Sequence, residues 1–171
     1  MVPGSRIADL LKASTRSAIH LELRDWYTLD DPDWRTWRAG QLPDVAVTRA
    51  GWSDMVREVT ARGVAVRRLR VISEPVSDYV HYEYDITAAH NLAAGEDVRW
   101  LSRRVATDLF LPPADFWVID DVVVFNHFNG DGDWIDEELR DDAVLAARLT
   151  EAFDVAWAQG TPHADYRLPT S

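Results

Sequence analysis

The segment VAVRRLRVISEPVSDYVHYEYD, residues 64–85, joins a strand pattern directly to a helix pattern and decides the fold class. Residues 64–72 are rich in β-branched side chains, and their period of two predicts a strand that carries arginine on both faces. From Ser77 onward, apolar and aromatic residues recur at spacings of three and four, which predicts a helix that ends at Gly95. The polar residues between them, Ser73 to Asp78, are typical of a helix cap. A strand followed by a helix is the repeating unit of α/β folds.

The rest of the chain continues this alternation of strands and helices. NGDGD, residues 129–133, is typical of a hairpin turn. Strands separated by helices, then a hairpin and a closing helix, predict one α/β domain of 171 residues, with a mixed sheet flanked by helices. Further strands are predicted at residues 18–24, 97–101, 116–120, 122–128 and 134–139, helices at residues 5–14, 53–62, 102–109 and 141–160, and a short helical turn within residues 30–44.

The composition excludes several classes of protein. The chain has no cysteine, which excludes disulfides, thiolate nucleophiles and zinc sites that require sulfur. No apolar run approaches the roughly 20 residues of a membrane span, and the first residues lack the apolar stretch of a signal peptide, so we expect a cytoplasmic protein without membrane contact. The formal net charge of -11 opposes binding to phosphate backbones, so we expect no direct contact with nucleic acid.

The negative charge is concentrated in one segment, residues 131–142. It holds seven acids, against Arg140 as its one basic residue. A solvated turn and helix start is the simplest interpretation of such a run. The alternative is a docking patch for a basic partner, including mimicry of DNA toward the basic helix of a regulator.

The motifs of known catalytic and cofactor sites are missing or incomplete. His20, His81 and His163 each stand two residues before an acid, but no third ligand follows at a usable spacing, so no metal site is predicted. Neither G-x-G-x-x-G nor G-x-x-x-x-G-K-[ST] occurs, so the sequence contains neither of these two nucleotide-binding motifs. Ser73 and Ser77 lack the G-x-S-x-G context of a serine nucleophile. We therefore assign no cofactor, no metal and no catalytic residue.

Aromatic and charged side chains within the predicted elements have structural explanations. The eight tryptophans include Trp26, Trp100, Trp117 and Trp157, which fall in predicted strands or helices and are expected in the core rather than stacked on a ligand. Glu83 lies among tyrosines on the predicted helix. A structural ion pair with Arg68 or Arg70 is expected there, and a carboxylate in a pocket is the alternative.

Four segments together carry a resemblance that covers nearly the whole chain. They are RRLRVISEPVSDYVHYEYD, NLAAGEDVRWL, DFWVIDD and a closing helix that ends in DVAW. In this combination the sequence resembles an uncharacterised family of small bacterial proteins, common in actinomycetes, that carry a domain of unknown function. Members are often encoded near helix-turn-helix regulators. The resemblance therefore implies a regulatory neighbourhood and no particular reaction.

A second resemblance concerns the fold. A strand, a helix, AGEDVRWL and a strand that ends in two aspartates resemble one half of the phospholipase-D-like architecture, whose motif is H-x-K-x-x-x-x-D. On PADFWVID the motif keeps Asp120, while Pro113 stands at the histidine position and Asp115 at the lysine position. In that family the histidine attacks phosphorus and the lysine holds the phosphate. Asp115 would instead repel a phosphate by about 4 kcal/mol at ~4 Å and an effective dielectric of ~20. That architecture joins two halves, which implies a homodimer.

These observations favour a non-catalytic α/β domain that binds a protein partner, as an accessory or sensor protein of a helix-turn-helix regulator. The residues expected at its contact surface are Arg68, Arg70, Glu74, Tyr79 and Glu83, with Arg99 and Asp120 nearby.

The alternative is a hydrolase-type enzyme that acts on a small anionic substrate. Its general base would be Glu74 or Glu83, and the anion would be held by Arg68, Arg70 or Arg99. Convergence of these side chains in a concave, partly apolar pocket would favour the enzyme, and a flat solvated rim would count against it.

Overall fold

Three parallel strands form the centre of the sheet in this computed structural model, which describes residues 6–27 and 31–169. Strand β1 pairs with β2, and β2 with β3, and each crossover passes through helices, as parallel pairing requires. The strands are β1 (Ser17–Glu22), β2 (Ala65–Ile72), β3 (Asp97–Ser102), β4 (Asp115–Ile119), β5 (Val122–Phe128), β6 (Trp134–Asp141) and β7 (Thr161–Pro162). The helices are α1 (Arg6–Ala13), α2 (Pro32–Arg38), α3 (Val45–Thr48), α4 (Ala50–Ala61), α5 (Asp78–His90) and α6 (Ala143–Gln159).

Antiparallel strands extend the parallel centre on both sides. Strand β4 runs antiparallel to β1, and β5 and β6 continue from it as a meander. On the other side β7 pairs with β3 over two residues. The strand order across the described residues is β6-β5-β4-β1-β2-β3-β7. The α/β fold with a mixed sheet and flanking helices that the sequence predicted is confirmed.

Both faces of the sheet are covered by helices. Helix α6 packs on one face, where Phe153 and Trp157 meet Leu21, Leu69 and Leu101 of the central strands. Helices α1 and α4 pack on the other face around Ala18, Val66 and Trp117. An aromatic cluster that includes Trp34, Tyr79 and Tyr82 joins α2 to α5. Because β1 and β2 are central, side chains on both of their faces are buried.

Several predicted boundaries are corrected. The helix predicted to run to Gly95 ends at His90, and a short 3-10 helix, Leu92–Ala94, leads to Gly95, whose φ of 90° suits glycine. Residues 102–109 contain a 3-10 helix at Val105–Asp108 rather than an α-helix. The sequence patterns did not reveal α3 or β7, which are too short to show a period. Ser5, the predicted first residue of α1, lies outside the described residues.

Two expectations about exposure are also corrected. Residues 18–24 alternate apolar and polar side chains, which predicts a half-buried strand, but His20 is buried and Glu22 is largely enclosed because helices cover both faces of β1. Trp26 follows β1 and is 42% exposed, whereas Trp100, Trp117 and Trp157 are buried as predicted.

The acidic segment contains the strand predicted at residues 134–139, which extends to Asp141, so the interpretation of the whole segment as a solvated turn and helix start is corrected. Residues 134–141 of the acidic run belong to β6, and the closing helix begins only at Ala143 with Asp142 as its cap. Among the described residues, no helix combines the length and the apolarity needed to cross a lipid bilayer.

Candidate functional site

The junction between β2 and α5 is built by capping, as its polar sequence predicted. The Ser77 hydroxyl accepts the amide of Val80 at 3.1 Å and caps α5. The amide and hydroxyl of Ser73 both donate to the carboxylate of Asp25, at 2.7 and 2.6 Å. Arg103 donates to the same carboxylate from the end of β3. These contacts tie together the carboxyl ends of β1, β2 and β3.

A buried ion network lies on the sheet face that α5 covers, and it consists of Glu22, Arg68, Arg70, Glu83 and Glu96. Arg68 donates to Glu96 at 2.8 Å and also to Glu22 on the neighbouring strand. Arg70 donates to the second oxygen of Glu22 at 2.6 Å and lies 3.4 Å from Glu83. The predicted pairing of Glu83 with an arginine is therefore confirmed, with Arg70 as the partner.

The pKa values of the network follow from burial and from the two guanidinium groups. Burial raises the pKa of Glu83 to about 7, although Arg70 acts in the opposite direction. Burial alone would raise the pKa of Glu22, but Arg70 and Arg68 outweigh it and hold that pKa well below its usual range. Arg68 has the same lowering effect on the pKa of buried Glu96. Both arginines thus have ion partners within the protein.

His20 borders the network as a neutral ring. Its imidazole stacks on the indole of Trp117 with ring centroids 4.1 Å apart. Burial, together with the nearby Arg68 guanidinium, lowers the pKa of His20 to about 3. A buried, neutral histidine beside a cation packs as an aromatic residue. In the described part of the chain, His, Asp and Glu side chains form no group of three that could hold a metal ion.

Asp115, at the lysine position of the phospholipase-D-like motif, begins β4 beside the carboxyl end of β1. One of its oxygens accepts the amide of Leu23 at 2.8 Å, and the other accepts the hydroxyl of Tyr27. Burial raises the pKa of Asp115 to about 6 despite these hydrogen bonds. Tyr27 is itself buried and packs against Tyr79 and Phe128. Tyr27 therefore covers the Asp115 carboxyl, and solvent reaches little of it.

Asp120, the retained residue of that motif, has a structural role at the opposite end of β4. Its carboxylate accepts the amides of Thr15, Arg16 and Ser17 at 2.9, 2.9 and 3.1 Å. Its φ of 52° is unusual for a residue other than glycine, and these contacts hold the backbone there. Asp120 thus fixes the chain that leads from α1 into β1.

The seven residues expected at one contact surface are distributed over four regions. Arg68, Arg70 and Glu83 belong to the buried ion network, and Tyr79 is buried beside it. Glu74 lies apart from them and accepts the hydroxyl of Tyr166 at 2.7 Å.

Arg99 and Asp120 are not near this group, which corrects the expectation that they would be. Arg99 lies on the α6 face of the sheet, 4.5 Å above the ring of Trp157, whose carbonyl it contacts at 3.1 Å. Side chains at consecutive positions of a strand point to opposite faces, and the odd-numbered residues of β3 face α6. Asp120 lies at the end of β4 that is opposite to Asp115.

Sequence patterns missed several residues that complete these sites. Glu22 and Glu96 balance the arginines, Tyr27 covers Asp115, and Asp25 and Arg103 join the strand ends. Arginine on both faces of a single predicted strand was the signal that buried acids must lie on neighbouring elements. That signal does not identify which acids.

Two surface clefts adjoin the sheet. The first lies at the carboxyl ends of β1 and β2, with Leu23, Val71 and Leu111 along it and Arg24 and Arg103 beside them. The second is an open groove between α6 and the turn that contains Asp120. Neither of these two clefts is lined by Glu74, Glu83, Arg68 or Arg70.

Comparison with protein families gives a match over residues 5–168 to a domain of unknown function, DUF6879. The chain belongs to this family. The match covers nearly the whole sequence, so the resemblance to an uncharacterised family is confirmed. A search of curated proteins found no relative of the chain.

Solved structures show the same fold at low sequence identity. The phospholipase D family member Nuc from Salmonella typhimurium matches with a TM-score of 0.52 and 15% identity, over 94% of this chain and 88% of that one. TrmBL2, an archaeal chromatin protein described as showing a novel mode of DNA binding, matches with a TM-score of 0.52 and 12% identity over 91% of this chain. The match spans about half, 48%, of TrmBL2. The resemblance to the phospholipase-D-like architecture is thereby confirmed at the level of the fold.

Proposed function

We propose that this protein is a non-catalytic accessory domain that acts in the cytoplasm by binding a protein partner, and that the partner is a helix-turn-helix regulator. The observation that carries the proposal is Asp115, which stands where the phospholipase-D-like motif has lysine and is covered by Tyr27. A buried carboxyl in place of an ammonium group cannot hold a phosphate. Pro113, at the histidine position, has no nucleophile.

The placement of the charged groups supports binding over hydrolysis. A hydrolase needs its base and its anion-binding cations around one accessible space. Here Glu83 and Arg70 contact each other within a packed layer, Glu74 contacts Tyr166, and Arg99 lies on the other face of the sheet. The charge of Arg68 and Arg70 is already compensated by Glu22 and Glu96. This geometry disfavours the hydrolase alternative.

A protein partner fits the charge better than a nucleic acid does. A formal charge of -11 repels phosphate backbones, and Arg68 and Arg70 are buried. The DNA binding described for TrmBL2 is a property of that protein. The regulator as partner follows from the gene neighbourhood that the family resemblance implies. The phospholipase-D-like architecture also supports pairing of two copies of the chain.

Co-expression with the regulator encoded beside the gene tests this proposal. We expect the two proteins to co-purify and to elute together in size-exclusion chromatography. Light scattering should then give a mass equal to the regulator plus one or two copies of the 19.4 kDa chain. A monomer that elutes apart from the regulator at micromolar concentration would contradict the proposal. A homodimer that does not bind the regulator would support the pairing of two copies of the chain and would exclude the regulator as the partner.

A further inference from the structure

A tight turn between β3 and β4 presents Phe110 at the surface. The amide of Leu111 donates to the carbonyl of Leu109 at 3.0 Å, which closes a three-residue turn with Phe110 at its centre. The amide of Leu109 donates to the carbonyl of Ala106 at 3.1 Å and ties this turn to the 3-10 helix before it. Phe110 is 96% exposed, the highest value among the large apolar side chains of the described chain. The backbone therefore holds an aromatic side chain in solvent instead of in the core.

The two neighbours of Phe110 anchor the turn. Leu109 and Leu111 line the cleft at the carboxyl ends of β1 and β2, whereas Phe110 does not. Both leucines also pack against the core cluster beneath α6. Pro112 and Pro113 follow at once, and proline restricts the backbone there. A turn that is fixed before binding loses little conformational entropy, so Phe110 is preorganised for a contact.

The cleft suits an aromatic side chain. It has a volume of about 360 Å³, and seven of the nine residues that line it are apolar. Arg24 and Arg103 are the other two, so no acid of the described chain lines it. The guanidinium of Arg24 already lies over the ring of Phe128, 5.1 Å from its centroid. An apolar floor beside guanidinium groups allows an incoming ring both apolar and cation–π contacts.

The charge of the turn is opposite to that of the cleft. Residues 105–113 contain one acid, Asp108, and no base. Asp108 and Val105 are both exposed, a few positions before Phe110. A chain with a formal charge of -11 pairs with itself most favourably where its own charges are of opposite sign. An acidic turn beside a basic cleft meets that condition.

A protruding ring and a receiving cleft on one surface also meet the requirement for a symmetric pair. In a two-fold dimer the same patch serves on both copies, so each copy must supply both parts. Here the two parts are adjacent, because the neighbours of Phe110 form part of the cleft wall. Two copies that face each other through this turn can exchange their Phe110 side chains.

We propose that two copies of the chain pair through this turn, and that Phe110 of each copy binds in the cleft of the other. Asp108 then lies on the side of the incoming ring, and Arg24 on the side of the cleft. The pairing removes two exposed rings from water, which drives the association. This inference rests on the proposed function, which includes the pairing of two copies, and it names the surface and the side chain responsible.

Sedimentation velocity of the whole protein, from about 1 to 100 µM, tests the proposal. We expect the mass to rise with concentration from 19.4 kDa toward twice that value. Phe110→Ala removes both rings from the pair and should weaken association by about 100-fold or more. The control, Leu42→Ala, truncates a side chain that is 70% exposed and does not line the cleft, so it should change association less than about twofold.

A mixture of two variants tests the exchange of rings itself. Ala106→Trp fills the cleft and keeps the ring, whereas Phe110→Ala keeps the cleft and lacks the ring. Neither variant alone can form a contact of ring with cleft, but a mixed pair can form one of the two. We expect the mixture to associate about tenfold more tightly than either variant alone. If Ala106→Trp does not fold, Phe110→Ala and Leu42→Ala decide the inference, because both replace exposed side chains.

Three results would overturn the inference: a chain that stays monomeric at the highest concentration, a dimer that persists in Phe110→Ala, or an equal loss in Leu42→Ala. Co-purification with the regulator is measured separately on the same variants. A monomeric Phe110→Ala that still binds the regulator would support both proposals. A dimer that depends on Phe110, without any regulator complex, would support this surface and exclude the regulator as the partner. An original protein that is monomeric, with a regulator complex that Phe110→Ala abolishes, would assign the surface to the regulator and overturn the pairing.

Discussion

Glu22→Ala is expected to lower the free energy of unfolding by about 3–5 kcal/mol, because it leaves two buried guanidinium groups without their shared carboxylate. One oxygen of Glu22 accepts from Arg68 and the other from Arg70. The partners that remain, Glu96 and Glu83, each contact only one of the two arginines. Burial of unpaired charge is among the few causes of so large an effect from one substitution.

Urea unfolding followed by tryptophan fluorescence measures this loss. The matched control is Asp154→Asn, which removes a more exposed ion pair with Arg67, 2.9 Å away on the α6 face. Exposed pairs contribute about 1 kcal/mol or less, so the control should remain close to the original stability. If Glu22→Ala behaved like the control, the arginines would have other compensation and the ion network would not be a structural unit.

Asp115→Asn is expected to change how stability depends on pH. Burial raises the pKa of Asp115 from its usual 3.8 to about 6, so between these values the folded protein binds a proton that the unfolded chain has released. The stability from this group is complete below about pH 4 and is lost as the pH rises through about 6. A shift of this size corresponds to about 3 kcal/mol at most. Asparagine keeps an acceptor for the amide of Leu23 and cannot ionise.

The test is the difference in unfolding free energy between the variant and the original protein, measured from pH 4 to pH 7.5. Because the other ionisable groups are common to both proteins, their contributions cancel in the difference. We expect the difference to move in favour of Asp115→Asn by about 2–3 kcal/mol as the pH rises. Asp97→Asn, at the exposed start of β3, should give a nearly constant difference. A difference for Asp115→Asn that is also constant would mean that the carboxyl is ionised in the folded protein throughout.

The sequence was sufficient to predict the elements that are long enough to show a period. Strand β2, helix α5 and the cap at Ser77 follow from local patterns, because each depends only on residues that are close together in the sequence. The pairing of Glu83 with an arginine could also be predicted, because a carboxylate buried among tyrosines requires a cation. The missing histidine and lysine of the phospholipase-D-like motif are visible without a structure.

Contacts between distant segments were not predictable in this way. Glu22, Arg68 and Glu96 meet only because β1 lies beside β2 and β2 beside β3. The period of apolar residues within a segment does not reveal which strands are neighbours. Tyr27 and Asp115 are 88 positions apart and meet because β4 runs antiparallel to β1. The position of β6 at the edge of the sheet likewise depends on strand order. The sequence therefore showed an acidic run but not that this run lies at an edge.

We propose that this protein, with its phospholipase-D-like fold, recognises a partner and does not cleave phosphodiesters. Release of p-nitrophenol from bis(p-nitrophenyl) phosphate by the purified protein, between pH 5 and pH 8, measures whether it cleaves them. We predict a rate equal to that of buffer and unchanged by Asp115→Asn or Asp120→Asn. Turnover that is proportional to protein concentration and abolished by either substitution, with the fold intact by circular dichroism, would contradict the claim.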